Sequence, residues 1–360
     1  MAPTHPSPAA PMALLALGAA LASAGCRVAY VTRAAWHQAG LMAKREPIDR
    51  VLDRGDLSPD QASKLALIPA IKRFGEDLGL ASSDNYETIS ARWDRTIVNF
   101  SACEPLSLEP VGWWFPVVGS VPYLGFFRAR DRERWERRYR ERGYDVWVRD
   151  VAAYSTLGWF RDPVLPAMLD WEEYRLAEVV LHELTHATLW VPGSVSFNET
   201  FANVVGEQAA TRWMETRHGP SSPEVHDMWI TRGDHDAWRG VLEGLYQDLD
   251  EAYSNPDTDD NYKLERKQTL YSSLDQRISS AHFHRPEPYL REAREGLWNN
   301  ARVAQYRTYN HSREALDTLL EQRDGDLEAF VRDVGKITAN QPDPWIAVAR
   351  AAALPPEDGK

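Results

Sequence analysis

The sequence predicts an α+β fold that is mostly helical, with a small β-sheet. Three observations carry this. Long stretches place apolar residues three and four apart, above all Trp171 to Trp190, Ser194 to His218 and Trp238 to Tyr253. One block, Phe100 to Gly125, is instead β-rich and broken by Gly and Pro, and the strand-like run Tyr144 to Val151 follows it. The chain has 360 residues and 43% hydrophobic content, enough to bury a large core, and no repeat or long linker divides it. A net charge of −12 argues against a nucleic-acid partner. The 14 Trp suit a rich aromatic core better than a stacking cleft.

Met12 to Gly25 is a short apolar run of small residues ending at Cys26. It is too short to span a membrane and matches the apolar region of an export signal. Gly25-Cys26 resembles a bacterial lipoprotein cleavage site, in which the Cys becomes the lipidated first residue. Ser23 stands where Leu is usual, and Met1 to Pro11 has no Lys or Arg, so Met12 is an alternative start. The expectation is a signal peptide over 1–25, lipidation at Cys26, and a membrane-anchored protein of the cell envelope. An ordinary secreted protein and a cytosolic one remain alternatives. With only two Cys, no disulfide framework or Cys-based metal site can be built, and Cys103 is expected to be a buried free thiol.

Val28 to Met42 is an amphipathic candidate helix, and Pro47 to Asp53 begins a second. Ser58-Pro59-Asp60 is a helix start for a third, which carries Leu65, Ile68, Ile71 and Phe74 and ends before Gly79. Val111 to Gly125 holds three Gly and two Pro, which argues for a buried strand-and-loop layer over a spanning helix. Arg128 to Arg142 interleaves acids with arginines and reads as a solvated amphipathic helix. Ala153 to Phe160 reads as a further strand. Ser155, Thr156, Leu157 and Gly158 are its candidate substrate-binding residues, since an extended peptide can pair with such an edge; a plain internal strand is the alternative. Trp238 to Tyr253 and Tyr262 to Ile278, joined by the polar loop Ser254 to Asn261, form a helical hairpin at about 236–280. Glu287 to Phe330 reads as two more helices, and the residues after Pro355 as a loose end.

The chemistry is concentrated in His182-Glu183-Leu184-Thr185-His186. Residues four apart on a helix lie on one face, so both imidazoles can reach one ion, and Glu183 can reach a water on it. Leu176, Val179, Val180, Leu184, Ala187 and Leu189 make this helix apolar around much of its circumference, and Pro192-Gly193 stops it. A catalytic Zn²⁺ site needs three protein ligands and an open position. Glu199, in Phe197-Asn198-Glu199-Thr200-Phe201-Ala202-Asn203, follows after a turn long enough to bring back an antiparallel helix. Two readings compete with it: Ser196 to Glu199 is also a capping-box pattern, and Glu207 is a rival ligand two turns on. Asn203 is the candidate for orienting a His ring. An oxyanion donor is also needed, and the helical stretch Asn299 to Tyr309 offers two candidates, Tyr306 and Tyr309, with a core role the stronger reading for each.

His182-Glu-x-x-His186 followed by Asn198-Glu199-x-Phe201-Ala202 resembles the gluzincin metallopeptidases, whose second-motif Glu is the third zinc ligand, matched here by Glu199. The lipoprotein-like start, Ser155-Thr-Leu-Gly-Trp-Phe-Arg-Asp-Pro163 and the two motifs together look like the bacterial family labelled "putative aminopeptidase", from about Cys26 to Phe330. The chain has no counterpart of the gluzincin Gly-x-Met-Glu-Asn motif that grips a free α-amine. The resemblance implies a zincin-like core, a Zn²⁺ cofactor, a peptide substrate and a single zinc peptidase domain over 26–360. In it Glu183 would be the catalytic base, with His182, His186 and Glu199 on the metal. Two other functions share these features: a non-catalytic envelope lipoprotein whose zinc staples two helices, and an amidase acting on cell-wall peptide.

Overall fold

Ser58 opens the first long helix by accepting a hydrogen bond from Gln61 N–H at 3.2 Å, with Pro59 and Asp60 in the first turn. This computed structural model describes residues 36–37, 39–93, 97–115, 119–151, 161–310 and 313–354. Cys26, the run Ser155 to Gly158 and the residues after 354 lie outside them. Before that helix come β1 (Glu46–Pro47) and α1 (Ile48–Arg54); the helix itself, α2, runs Pro59–Asp77. The architecture is α+β and mostly helical.

Among the described residues, seven short strands follow the sequence blocks that are rich in β-branched and aromatic residues: β1, β2 (Thr88–Ile89), β3 (Ile97–Cys103), β4 (Trp113–Phe115), β5 (Gly119–Val121), β6 (Leu124–Phe126) and β7 (Asp145–Val151). The three-stranded sheet has the order β6-β3-β7 and is antiparallel, with Phe100 opposite both Leu124 and Val148. β3 is buried along its whole length although Asn99 and Ser101 alternate with Val98, Phe100 and Ala102, and buried Ser101 Oγ donates to Gln305 Oε1 at 3.0 Å. Helix α3 (Ala129–Arg140) covers the sheet. It sets Trp135 and Tyr139 against Phe100, while Trp113 Nε1–H donates to Tyr139 Oη at 3.1 Å. Its arginine-rich remainder stays in solvent, as its alternating charge predicts.

The main core lies between α2, α4 (Glu173–Thr188) and α5 (Val195–His218). α4 and α5 pack more extensively than any other described pair of elements. Close approach of α2 requires Gly75, where an added Cβ would stand 2.8 Å from Leu181 Cδ2.

The helical hairpin is formed by α6 (Pro223–Ser254), α7 (Asp260–Ser272) and α8 (Leu274–Ser280). Val241, Leu242, Leu245 and Leu249 pack with Leu270, Leu274 and Ile278. α6 starts at Pro223, well before the expected Trp238, with Ser222 Oγ accepting from Val225 N–H. Five shorter helices follow among the described residues: α9 (Glu287–Glu295), α10 (Asn300–Asn310), α11 (Glu314–Glu321), α12 (Leu327–Thr338) and α13 (Pro344–Ala351). Four of these begin between Glu287 and Phe330, where two were expected, because Gly296 and short polar turns cut the region into short pieces.

Asn300 ties hairpin to sheet. Its Nδ2 donates to the carbonyls of Pro105 and Ser107, both at 3.0 Å, and its Oδ1 accepts from Tyr253 and Tyr271 hydroxyls at 2.9 and 2.7 Å. Cys103 is a buried free thiol, and burial pushes it well above the ordinary thiol range. No helix among the described residues is long and apolar enough to cross a membrane.

Candidate metal centre

The His-bearing helix α4 is pinned at both ends. At its start, Glu173 accepts from Trp213 Nε1–H at 2.9 Å and pairs with Arg217 at 3.0 Å and His218 at 3.2 Å, all near the end of α5. At its close, the chain turns at Gly193, with φ of +83° that favours glycine. Asn198 clamps that turn: Val191 N–H donates to its Oδ1 and its Nδ2 donates to Val191 O, both at 2.8 Å. The two helices are thereby set antiparallel, and the residue after Asn198 is Glu199.

This brings His182, His186 and Glu199 together, with one ligand atom from each lying within 4.8 Å of the others. The two Nε2 atoms are 3.0 Å apart. Glu199 Oε2 is 3.5 Å from His182 Nε2, and Oε1 is 3.7 Å from His186 Nε2. Atoms bound tetrahedrally about 2.0–2.2 Å from one ion stand about 3.3–3.6 Å apart, so the triad fits a Zn²⁺ with small adjustment. The donor chemistry fits too, with two imidazole nitrogens and one carboxylate.

Electrostatics agree with the geometry. Burial alone would raise the Glu199 carboxyl; its contacts with His182 and His186 outweigh this and hold it well below the usual carboxylate range. Burial lowers the His182 imidazole, but Glu199, through its hydrogen bond and its charge, and then Glu183 and Glu178 raise it overall.

The competing sequence readings of this helix have clear structural outcomes. The N-cap of α5 is Ser194 and makes no side-chain capping bond, and Glu199 faces the two His. Glu207 is instead held by Arg313 at 2.6 Å, Arg239 at 3.3 Å and Arg232 at 3.8 Å; burial raises its carboxyl and these guanidinium groups bring it below its ordinary value. Glu183 is buried on α4 beside His182. Asn203 is half-buried one turn beyond Glu199. Tyr306 packs against the hairpin cluster on α10, where burial first, and then the neighbouring Arg239 and Glu207, set its phenol. The side chain of Tyr309 is outside the described residues, as are Ser155, Thr156, Leu157 and Gly158.

Three contributors were not visible in the sequence. Trp190 sets its ring edge-on to His186 at 5.5 Å. Asn198 holds the turn. Gly206 allows α5 to lie against the backbone of α4: an added Cβ there would stand 3.0 Å from Glu178 O, 3.1 Å from His182 Cβ and 3.2 Å from His182 N. Gly206→Val therefore has a defined outcome. The protein loses about 1–3 kcal/mol of stability through overpacking, and zinc affinity falls at least about tenfold because His182 is displaced. Thermal denaturation and competitive zinc titration measure the two effects.

No curated protein and no solved structure matches the chain. Residues 29–344 match the family described as "Putative aminopeptidase". Since that match covers most of its length, including both His-bearing and Glu-bearing helices, the chain belongs to this family.

Proposed function

We propose that the chain is a zinc metallopeptidase of gluzincin type with a zincin-like core over residues 26–360. The observation that carries this reading is the convergence of His182, His186 and Glu199 on one point, with Glu183 next to it on the same helix. Membership of a family described as aminopeptidase supports the same class of reaction. Among the described residues no fourth His, Cys, Asp or Glu joins the triad. A structural zinc site closes with four protein ligands, whereas a catalytic one keeps a position open, so the triad favours catalysis over a staple.

His182, His186 and Glu199 would hold the ion. Zn²⁺ held there would supply Lewis acidity, making a water more acidic and a scissile carbonyl more electrophilic. Glu183 accepts the proton of that water and returns it to the leaving amine, so the base is regenerated with each turnover. Asn203 orients a ligand imidazole from α5. Ser155, Thr156, Leu157 and Gly158 pair with the extended substrate backbone. The apolar run ending at Cys26 supports export and a lipid anchor, and hence action on peptides in the cell envelope.

The test is hydrolysis of a mixed peptide pool by the full chain, with and without a chelator. Cleavage that stops on chelation and returns with zinc is expected. The products then define the substrate class. Stepwise loss of single N-terminal residues supports an aminopeptidase, and internal cuts an endopeptidase. Absence of cleavage under both conditions contradicts the proposal.

A further inference from the structure

Helix α3 carries a charge opposite to that of the chain. The protein has a net charge of −12, yet Arg128 to Arg142 holds eight arginines against four acids, a local charge of +4. Two of those acids are taken up by arginines on the flanks of the helix. Glu136 pairs with Arg140 at 3.0 Å and with Arg132 at 3.7 Å, and Glu133 pairs with Arg132 at 3.4 Å. Arg130, Arg134, Arg137 and Arg138 are left exposed, and no ion pair among the described residues engages them. They recur three and four apart, so they share one face of the helix. It is the face turned away from Trp135 and Tyr139, which pack on the sheet, and Glu141 stands at its far end.

Two exposed tryptophans adjoin this helix. Trp36 is 77% exposed and Trp114 is 58% exposed. Next to Trp36, His37 sets its ring 5.8 Å from Phe127, the residue before the α3 N-cap Arg128. Next to Trp114, Trp113 turns inward and donates to Tyr139 in the last turn of α3, so Trp114 turns out. The segment after Trp36 is fastened in place. Ser90 Oγ donates to Leu41 O at 3.1 Å, Lys44 Nζ donates to Arg92 O at 3.1 Å, and Trp93 meets Phe127 edge-on at 6.0 Å. The chain therefore enters the described structure beside the start of the arginine-rich helix. Cys26, which ends the apolar run Met12 to Gly25, is ten residues before Trp36 and so at most about 36 Å from it.

These features complement an anionic bilayer. Arginines on one helix face are drawn to acidic headgroups, and indole rings settle at headgroup depth. An acidic protein or a nucleic acid would satisfy the arginines alone; the two indoles and the adjoining apolar run favour lipid. We propose that the outer face of α3, with Trp36 and Trp114, docks on a membrane of anionic phospholipid. An anchor at Cys26 would tether the chain, and this face sets how the tethered molecule sits on the surface. The inference draws on the export reading of the N-terminal run and is independent of the hydrolytic reading.

The test is co-sedimentation of the full chain with vesicles of phosphatidylcholine, alone or with about one-third phosphatidylglycerol. Binding to the anionic vesicles is expected to be at least about tenfold tighter in low salt, with the preference gone at about 1 M salt. Replacing Arg130, Arg134, Arg137 and Arg138 together by Gln abolishes the preference, since each arginine near an anionic surface contributes about fivefold, and leaves binding to pure phosphatidylcholine unchanged. Trp36→Ser combined with Trp114→Ser weakens binding to both vesicle types at least about threefold. All six side chains are exposed, so an unchanged melting temperature shows that the variants are folded. A wild-type chain that binds neither vesicle, or both equally, overturns the proposal. So does a preference that survives the arginine replacements. Loss of preference in the arginine variant with unaltered binding in the tryptophan variant also overturns it, because that pattern belongs to any acidic polymer. Peptide hydrolysis enters none of these readouts, so each outcome leaves the metallopeptidase reading as it stands.

Discussion

Glu183→Gln lowers kcat/KM for peptide hydrolysis by about 10²–10⁴-fold, the range for losing a general base, while zinc content and melting temperature stay at their wild-type values. The substitution keeps the shape of the side chain and removes its capacity to take a proton. Glu183 is buried on α4, but it is not one of the converging ligand atoms, so the triad of His182, His186 and Glu199 is left intact. Nor does any described ion pair depend on it, which is why the fold should not notice the change. Metal analysis and initial rates on the same preparations separate the two effects. Hydrolysis that survives at the wild-type rate would take Glu183 out of its assigned role.

Glu199→Ala has the second large effect, and in the opposite place: it removes the metal. Two imidazoles 3.0 Å apart remain, with a space where the carboxylate stood 3.5 and 3.7 Å away. Zinc affinity should fall by more than about 100-fold, beyond the loss caused by disturbing outer partners alone. The metal-free protein is also weakened, because the buried imidazoles lose the carboxylate beside them; leaving a buried polar group without its partner typically costs about 1–3 kcal/mol. Glu207→Ala is the control. It leaves three guanidinium groups without their shared partner, so it should reduce stability while zinc remains bound. The reverse pattern, zinc lost in Glu207→Ala and kept in Glu199→Ala, would transfer the ligand role.

The centre was largely legible in the sequence because its logic is local. His182 and His186 are one helical turn apart, and Glu199 lies one turn into the next helix. Neither relation needs tertiary knowledge beyond an antiparallel pair. The early start of α6 was not legible, since the segment from Pro223 to Ala237 buries few apolar residues. Its contacts are polar and distant instead: Asp234 accepts from the backbone N–H groups of His284 and Arg285 at 2.5 and 3.1 Å, and Arg232 reaches Glu207. Periodicity cannot register such partners. The same holds for Asn198 and Gly206, whose roles depend on what stands opposite them. Tyr86 is a stronger case, because nothing in Asn85-Tyr86-Glu87 signals a left-handed backbone or a buried hydroxyl. The contest between Glu199 and Glu207 was open in sequence for a related reason: the arginines that engage Glu207 come from α6 and the segment before α11.

The most direct test of the central claim is zinc reconstitution of the full chain. Metal-free protein is titrated with Zn²⁺ while zinc binding and hydrolysis of a cleaved peptide are followed together. The expected result is activity that rises in proportion to bound zinc and levels off at one equivalent per chain, with Glu183→Gln binding the same equivalent in silence. Hydrolysis that proceeds without zinc, or one tightly bound zinc with no hydrolysis of any peptide, would contradict it.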